Sequence, residues 1–238
     1  MGVLAAAALA LSAPAFADKI GVASSITNDV QGIVGGAPAP LAVGSALFAN
    51  QRVRTGDASA AQLLFLDETS VSVGPKSEIT LDRFVFNPSR GAGNVVLSAG
   101  KGAFRFVTGS QNPTHYSIKT PVATIGVRGT IVDVSTMTRN GVTTTVVTLI
   151  EGNVLITTFN GQTLNLDRPG ASYVVKSNGS VQGPIAGNGT ITAFLSEPQR
   201  IEVPDNRLDL SDILGPLGPK SETSHHPGCG NYYYSYSC

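Results

Sequence analysis

The sequence predicts an all-β protein. The expected architecture is an antiparallel β-sandwich or jelly-roll-like domain of many short strands, with a β-solenoid as the alternative and a mostly irregular C-terminal tail. Three observations point there. The chain has 27 Gly and no Trp, and Thr, Val and Ser recur in short runs, a composition that suits strands and turns rather than helices. Short runs of alternating apolar and polar residues return every eight to twelve residues or about that. The pieces between them, such as TGDAS, LDETS, GPKSE, NPSRGAGN and GSQNPT, are built from turn formers.

The chain opens with an apolar run, Val3 to Leu11, followed by Ala15-Phe16-Ala17, a small-x-small cleavage signature. This predicts a secretory signal peptide over residues 1–17. No Lys or Arg precedes the run, and it is shorter than the ~20 apolar residues that span a bilayer. Residues 18–42, which include Gly35 to Pro40 (GGAPAP), read as a linker. Residues 43–185 read as the β domain. Ala61 to Leu66 is apolar on both faces and predicts a strand buried on both sides. Val71 and Val73 are expected to point inward, as are Ile79, Leu81 and Phe84 or Phe86. Further strands are expected at Val95 to Leu97, Ala103 to Thr108, His115 to Lys119, Val122 to Val127 and Ile131 to Val134. Thr143 to Ile150 and Val154 to Phe159 flank EGN, which reads as a hairpin turn, and Asn160-Gly161 signals another. Thr143 to Val175 therefore reads as a meander. The pattern thins after Val181. Residues 186–238 are expected to be an irregular tail with one short helical turn near Ser211.

Net charge is zero, so whole-molecule attraction to nucleic acid is not expected. From Arg83 to Val132 there is no Asp or Glu, while Arg83, Arg90, Lys101, Arg105, Lys119 and Arg128 all fall there. That stretch forms a solvated basic face, a basic face covered by the chain's own acidic tail (Glu197, Glu202, Asp205, Asp209, Asp212 and Glu222), or a contact for an anionic partner. In the tail, Cys229 and Cys238 can pair in an oxidising compartment. A metal site with His225 and His226 ranks well below a disulfide, because H-H-x-x-C-x8-C fits no metal spacing.

No cofactor and no catalysis are expected. Nucleophile, base and metal groups do not recur in any arrangement, and neither a G-x-S-x-G elbow nor H-E-x-x-H is present. Asp67-Glu68 sits on a turn, where neighbouring side chains point apart, and His115 reads as a surface residue. Gly126-Val127-Arg128-Gly129 is not a phosphate loop, since β-branched residues surround it and no helix follows. In a straight strand Ala123, Ile125 and Val127 share one face and Thr124, Gly126 and Arg128 the other. Either Arg128 points into a mixed interior or Gly129 supports a bulge that resets the faces. If Arg128 ties neighbouring segments together through carbonyls or a carboxylate, its loss to Ala removes about 2–4 kcal/mol.

Two pieces of the sequence resemble the FecR domain family. One runs Val53-x-Thr55-Gly56, Ala61 to Asp67 and Ser70 to Ser77. The other is TPVATIGVRGT, with Thr120, Pro121, Gly126, Arg128, Gly129 and Thr130 at its fixed places. The resemblance covers about Val43 to Ser135. It implies an extracytoplasmic β-rich domain whose family includes regulators that sense an outer-membrane transporter and control a sigma factor. A cleavable leader stands here where such regulators carry an anti-sigma segment and a membrane helix. The resemblance therefore implies a non-enzymatic module in the periplasm, or alternatively at the cell surface or secreted, which binds an envelope protein or polysaccharide. A structural, self-associating surface protein is the competing expectation.

Overall fold

The computed structural model describes residues 19–87, 92–109 and 116–186. The predicted signal peptide, His115, the tail beyond residue 186 and both cysteines lie outside the described residues. Fifteen strands fill the described part: β1 (Lys19–Thr27), β2 (Val30–Val34), β3 (Ala37–Pro40), β4 (Ala46–Phe48), β5 (Arg52–Thr55), β6 (Ala60–Phe65), β7 (Ser70–Val73), β8 (Glu78–Asn87), β9 (Ala92–Val107), β10 (Tyr116–Lys119), β11 (Ala123–Arg139), β12 (Val142–Thr158), β13 (Thr163–Leu166), β14 (Ala171–Lys176) and β15 (Val181–Ala186). No described residue is helical.

All strands hydrogen-bond into one sheet, not closed into a barrel, and the pairings resolve into two layers. One layer runs β4-β1-β6-β7, the second half of β9, the second half of β11, the first half of β12, β14, β15. The other runs β3-β2-β5-β8, the first half of β9, β10, the first half of β11, the second half of β12, β13. Among the described strands only β9 and β10 pair in parallel. Strands β9, β11 and β12 belong to both layers and turn a corner between them, as in sandwiches whose strands switch sheets at bends. The inner faces of both layers share one core, which joins Leu63, Phe65, Phe106, Val134 and Leu149 to Val53, Ile79, Leu97, Ile125 and Ile156.

Each crossing strand changes its inward parity at the corner. In β9 the buried residues are Val95, Leu97 and Ala99, then Phe104 and Phe106. In β11 they are Ala123, Ile125 and Val127, then Thr130, Val132 and Val134. In β12 they are Thr145, Val147 and Leu149, then Val154 and Ile156. One extra residue inserted in each strand produces this reset and adds bend, which is what a bulge does. Positive-φ glycines mark the three positions: Gly102 (φ 102°), Gly129 (φ 56°) and Gly152 (φ 88°).

Several expectations are corrected. The linker proposed for residues 18–42 is instead three strands, β1 to β3, because Ile20, Val22 and Val30 have a core to enter. EGN is not a hairpin turn: β12 continues through it as one strand, bent at Gly152 to make the corner. The strands expected at Val122 to Val127 and Ile131 to Val134 are one strand, β11, interrupted only by its bulge. The meander is not simple, because β13 and β14 pair with opposite halves of β12. β6 buries Ala61, Leu63 and Phe65 on one face only, with Gln62 and Leu64 half-buried. Val71, Val73, Ile79 and Leu81 do point inward, and Asn160-Gly161 does turn the chain between β12 and β13.

The edges of the layers are short or carry proline. β4 has three residues and β13 four, β3 contains Pro38 and Pro40, and β15 contains Pro184. Missing N–H donors and short edges oppose edge-to-edge pairing.

The corner separates two kinds of glycine. A Cβ on Gly152 would lie 2.0 Å from the Gly129 carbonyl oxygen, whereas one on Gly129 meets nothing within 4 Å. Gly152→Ala is therefore expected to lose about 2–4 kcal/mol in urea denaturation, and Gly129→Ala only about 1 kcal/mol for its left-handed backbone. Equal losses at the two positions would contradict this account of the corner.

Candidate functional site

The TPVATIGVRGT block occupies the turn into β11 and the corner. Thr120 closes the turn. Its N–H donates to the Ala123 carbonyl (2.8 Å), and its hydroxyl accepts from the Ala123 N–H (3.0 Å) and donates to the same carbonyl (3.1 Å). Pro121 is exposed at the second turn position, where its fixed φ fits. Gly126 lies mid-strand between β10 and β12, and a Cβ there would approach no closer than 3.7 Å to the Leu155 carbonyl oxygen. The sheet does not require glycine at that position.

Arg128 sits at the bulge and is exposed, with no side-chain hydrogen bond or ion pair among the described residues. The idea that its guanidinium ties neighbouring segments is therefore corrected. Arg128 keeps the outward side of the alternation that buries Val127, the reset at Gly129 turns Thr130 inward, and Thr130 makes the ties instead. Thr130 is buried. Its hydroxyl accepts the Arg128 N–H (3.0 Å) and donates to the Asn153 carbonyl (2.7 Å), while its own N–H donates to the Thr108 hydroxyl (2.9 Å). A bulge leaves backbone groups without ladder partners, and one threonine satisfies them, joining β11 to β12 and to Thr108 at the end of β9.

The earlier motif residues do the same work elsewhere. The Thr55 hydroxyl donates to the Gly74 carbonyl (2.6 Å) and accepts the Ser77 N–H (3.0 Å). The Ser77 hydroxyl accepts the Ala103 N–H (3.1 Å) and donates to the Pro75 carbonyl (3.0 Å). Asp67 and Glu68 do point apart: Glu68 is exposed at φ 69°, whereas Asp67 is wholly buried. The Asp67 carboxylate accepts the Thr69 N–H (3.0 Å), the Thr69 hydroxyl (2.8 Å) and the Tyr116 phenol (3.0 Å). The sequence reading missed this buried network, although Asp-x-Thr is a local pattern for a side chain that bonds its own backbone two residues on.

The acid-free stretch divides between the layers. Arg105 forms a two-pronged pair with Asp133 (2.7 and 2.8 Å) on the outer face of the first layer, which holds its guanidinium above its ordinary value against the opposing effect of burial. Arg83, Lys119 and Arg128 stand exposed on the outer face of the second layer and form no ion pair among the described residues. Arg83 lies opposite Val96, and Lys119 opposite Thr124, two residues along from Ser117 opposite Gly126. Two acids lie nearby: Asp82 reaches this same face, where it accepts from the Ser98 hydroxyl, and Glu78 pairs with Arg54 (3.0 Å) and Arg52 (3.6 Å). Arg90 lies outside the described residues, as do Cys229, Cys238, His225 and His226.

Residues 51–155 match the family model described as FecR protein. Two crystal structures of a candidate anti-sigma factor from Parabacteroides distasonis resemble the chain. One has 15% identity and a TM-score of 0.47 over 61% of this chain and 64% of that one. The other has 16% identity and a TM-score of 0.46 over 61% and 65%. The chain thus spans just under two thirds of the length of these structures. No curated protein matches it.

The two residues at the bulge give opposite expectations. Thr130→Val strands the Arg128 N–H and the Asn153 carbonyl and is expected to lose about 1–3 kcal/mol. Arg128→Ala is expected to stay within about 0.5 kcal/mol of the parent. Paired thermal melts check both, and a larger loss at Arg128 would restore it as the tie.

Proposed function

We propose that this FecR-domain chain is a non-enzymatic binding module of the bacterial envelope, acting in the periplasm and engaging an envelope protein or polysaccharide through the outer face of its second layer. The FecR match over residues 51–155 supports an envelope role linked to signalling. Among the described residues no helix is long and apolar enough to cross a membrane. Thr120, Gly129 and Thr130 of the family motif are occupied in closing the turn and forming the corner, so recognition falls to exposed residues, Arg128 among them.

The observation that carries the reading is the set of three exposed cations, Arg83, Lys119 and Arg128, without ion pairs among the described residues. By register, Lys119 and Arg128 stand about 13 Å apart along the strands, and Arg83 lies about 14 Å across them from the Gly126 column. Between them the face is built of Val96 and the small residues Ser98, Ser117, Thr124 and Gly126, with the Asp82 carboxylate held on the Ser98 hydroxyl. Cations spread over a flat face this way favour an extended anionic partner over a single small anion. The competing reading, self-association through strand edges, is disfavoured by the proline-bearing and short edge strands.

Sedimentation at two concentrations and capture from an envelope extract test the reading together. The expected result is a monomer that retains one partner, with retention weakened by added salt. A variant with Arg83→Glu, Lys119→Glu and Arg128→Glu is expected to keep its melting temperature and lose the partner. Equal capture by that variant would overturn the assignment of the face, and concentration-dependent growth in mass would favour self-association.

A further inference from the structure

A second site lies at the far end of the first layer, away from the corner. Arg139 is eleven residues beyond Arg128 along β11, a path of about 36 Å along the strand. Here two hairpin tips stand side by side. Asn140-Gly141 turns β11 into β12, with φ 50° and 74°, the conformation that Asn-Gly favours in two-residue hairpins. Ser177 to Gly179 turns β14 into β15, with Gly179 at φ 87°. The tips are tied to each other: the Ser177 N–H donates to the Thr143 carbonyl (2.8 Å), and the Thr143 N–H donates to the Ser177 hydroxyl (3.0 Å). An open cavity of about 280 Å³ lies between them.

Its lining falls into three groups. Arg139 and Lys176 are cations, and among the described residues no carboxylate joins them in the lining. Asn140 and Asn178 bring amides. The Asn178 carbonyl oxygen accepts the Ser180 N–H (3.1 Å), which leaves its NH2 group to donate, and the Asn140 side chain makes no hydrogen bond among the described residues. Met137, Val142 and Thr144 complete the wall. Met137, Thr144 and Lys176 form one row across β11, β12 and β14. Thr144 is only 7% exposed, and its hydroxyl has no hydrogen-bond partner among the described residues. Its neighbours Thr143 and Thr145 both have theirs, in Thr138 and Thr136. A buried hydroxyl without a partner is unusual and costs stability, so at a cavity wall it marks a place where something else supplies the bond.

We propose that this cavity binds a sugar acid, a single carboxylated pyranose or the end of an acidic glycan. The carboxylate meets Arg139 and Lys176, ring hydroxyls meet Thr144, Asn140 and Asn178, and the apolar ring face lies on Met137 and Val142. The volume of about 280 Å³, just under the ~300–1,000 Å³ range of drug-sized ligand sites, suits one ring. The hydrogen bonds between Ser177 and Thr143 hold the two tips side by side, so the backbones that carry these groups are already placed. The inference does not rest on the cationic face of the second layer, since the two sites share no residue.

Titration of the purified protein with D-glucuronate, followed by amide NMR shifts, tests the proposal. Saturable shifts confined to the two hairpin tips are expected, with D-glucose and acetate each binding at least about tenfold more weakly. Arg139→Ala and Lys176→Ala are expected to weaken glucuronate binding about tenfold each, and Thr144→Val about fivefold with an unchanged or raised melting temperature. Absence of saturable shifts, equal binding of glucose, equal binding of acetate, or full binding by Thr144→Val would each overturn it. The triple-Glu variant of the other face is expected to bind glucuronate as the parent does, so failure of one site is readable apart from the other.

Discussion

The fold depends on one close approach. Where β11 and β12 cross from one layer to the other, the Gly129 carbonyl lies against the Cα of Gly152, so near that a methyl group on Gly152 would overlap its oxygen. Two neighbouring strands can bend sharply at the same level only if their backbones come into contact there, and only glycine allows that contact. β9 bends beside them through Gly102, whose missing side chain leaves room for Ser77. Everything else in the architecture, including the shared core and the outward face of each layer, follows from three strands turning together.

A bend of this kind breaks the ladder, and the broken bonds have to be met within the fold. Threonine and serine hydroxyls meet them, because each can accept and donate at once. Thr130, Thr55 and Ser77 all do so from buried positions. Arg128 is in the same motif for a different reason. It is the residue on the outside of the bulge, so the geometry that buries Thr130 exposes Arg128.

Much of the fold was legible in the sequence, and the failures have physical causes. Alternation located Val71, Val73, Ile79 and Leu81 correctly because those strands each face one core. It failed at EGN because the same residues that turn a hairpin also turn a corner, and local sequence does not distinguish them. Residues 18–42 were misread because small residues suit strands that lie close to neighbours as well as linkers: Gly21 packs against the Leu64 carbonyl, where a side chain would not fit. Thr144 to Leu149 defeats alternation altogether, since Val146 and Thr148 are buried on one side and Val147 and Leu149 on the other. The motif was recognisable as a string, but the division of labour between Arg128 and Thr130 was not, because a one-residue bulge inverts every later assignment of face. The pairing of two distant hairpin tips was not legible at all, since no local pattern records which turns become neighbours.

The three continuous strands also decide how the molecule bears force. In a sandwich of two separate sheets the layers are held by side-chain packing and by connecting loops, and a pull across them peels one from the other. Here a pull between the layers runs along the covalent backbones of β9, β11 and β12. Shear is resisted by bonds rather than by contacts, and one layer cannot detach while the other keeps its ladder. A module tethered at one face and loaded at the other would pass tension through its middle as a stiff strut.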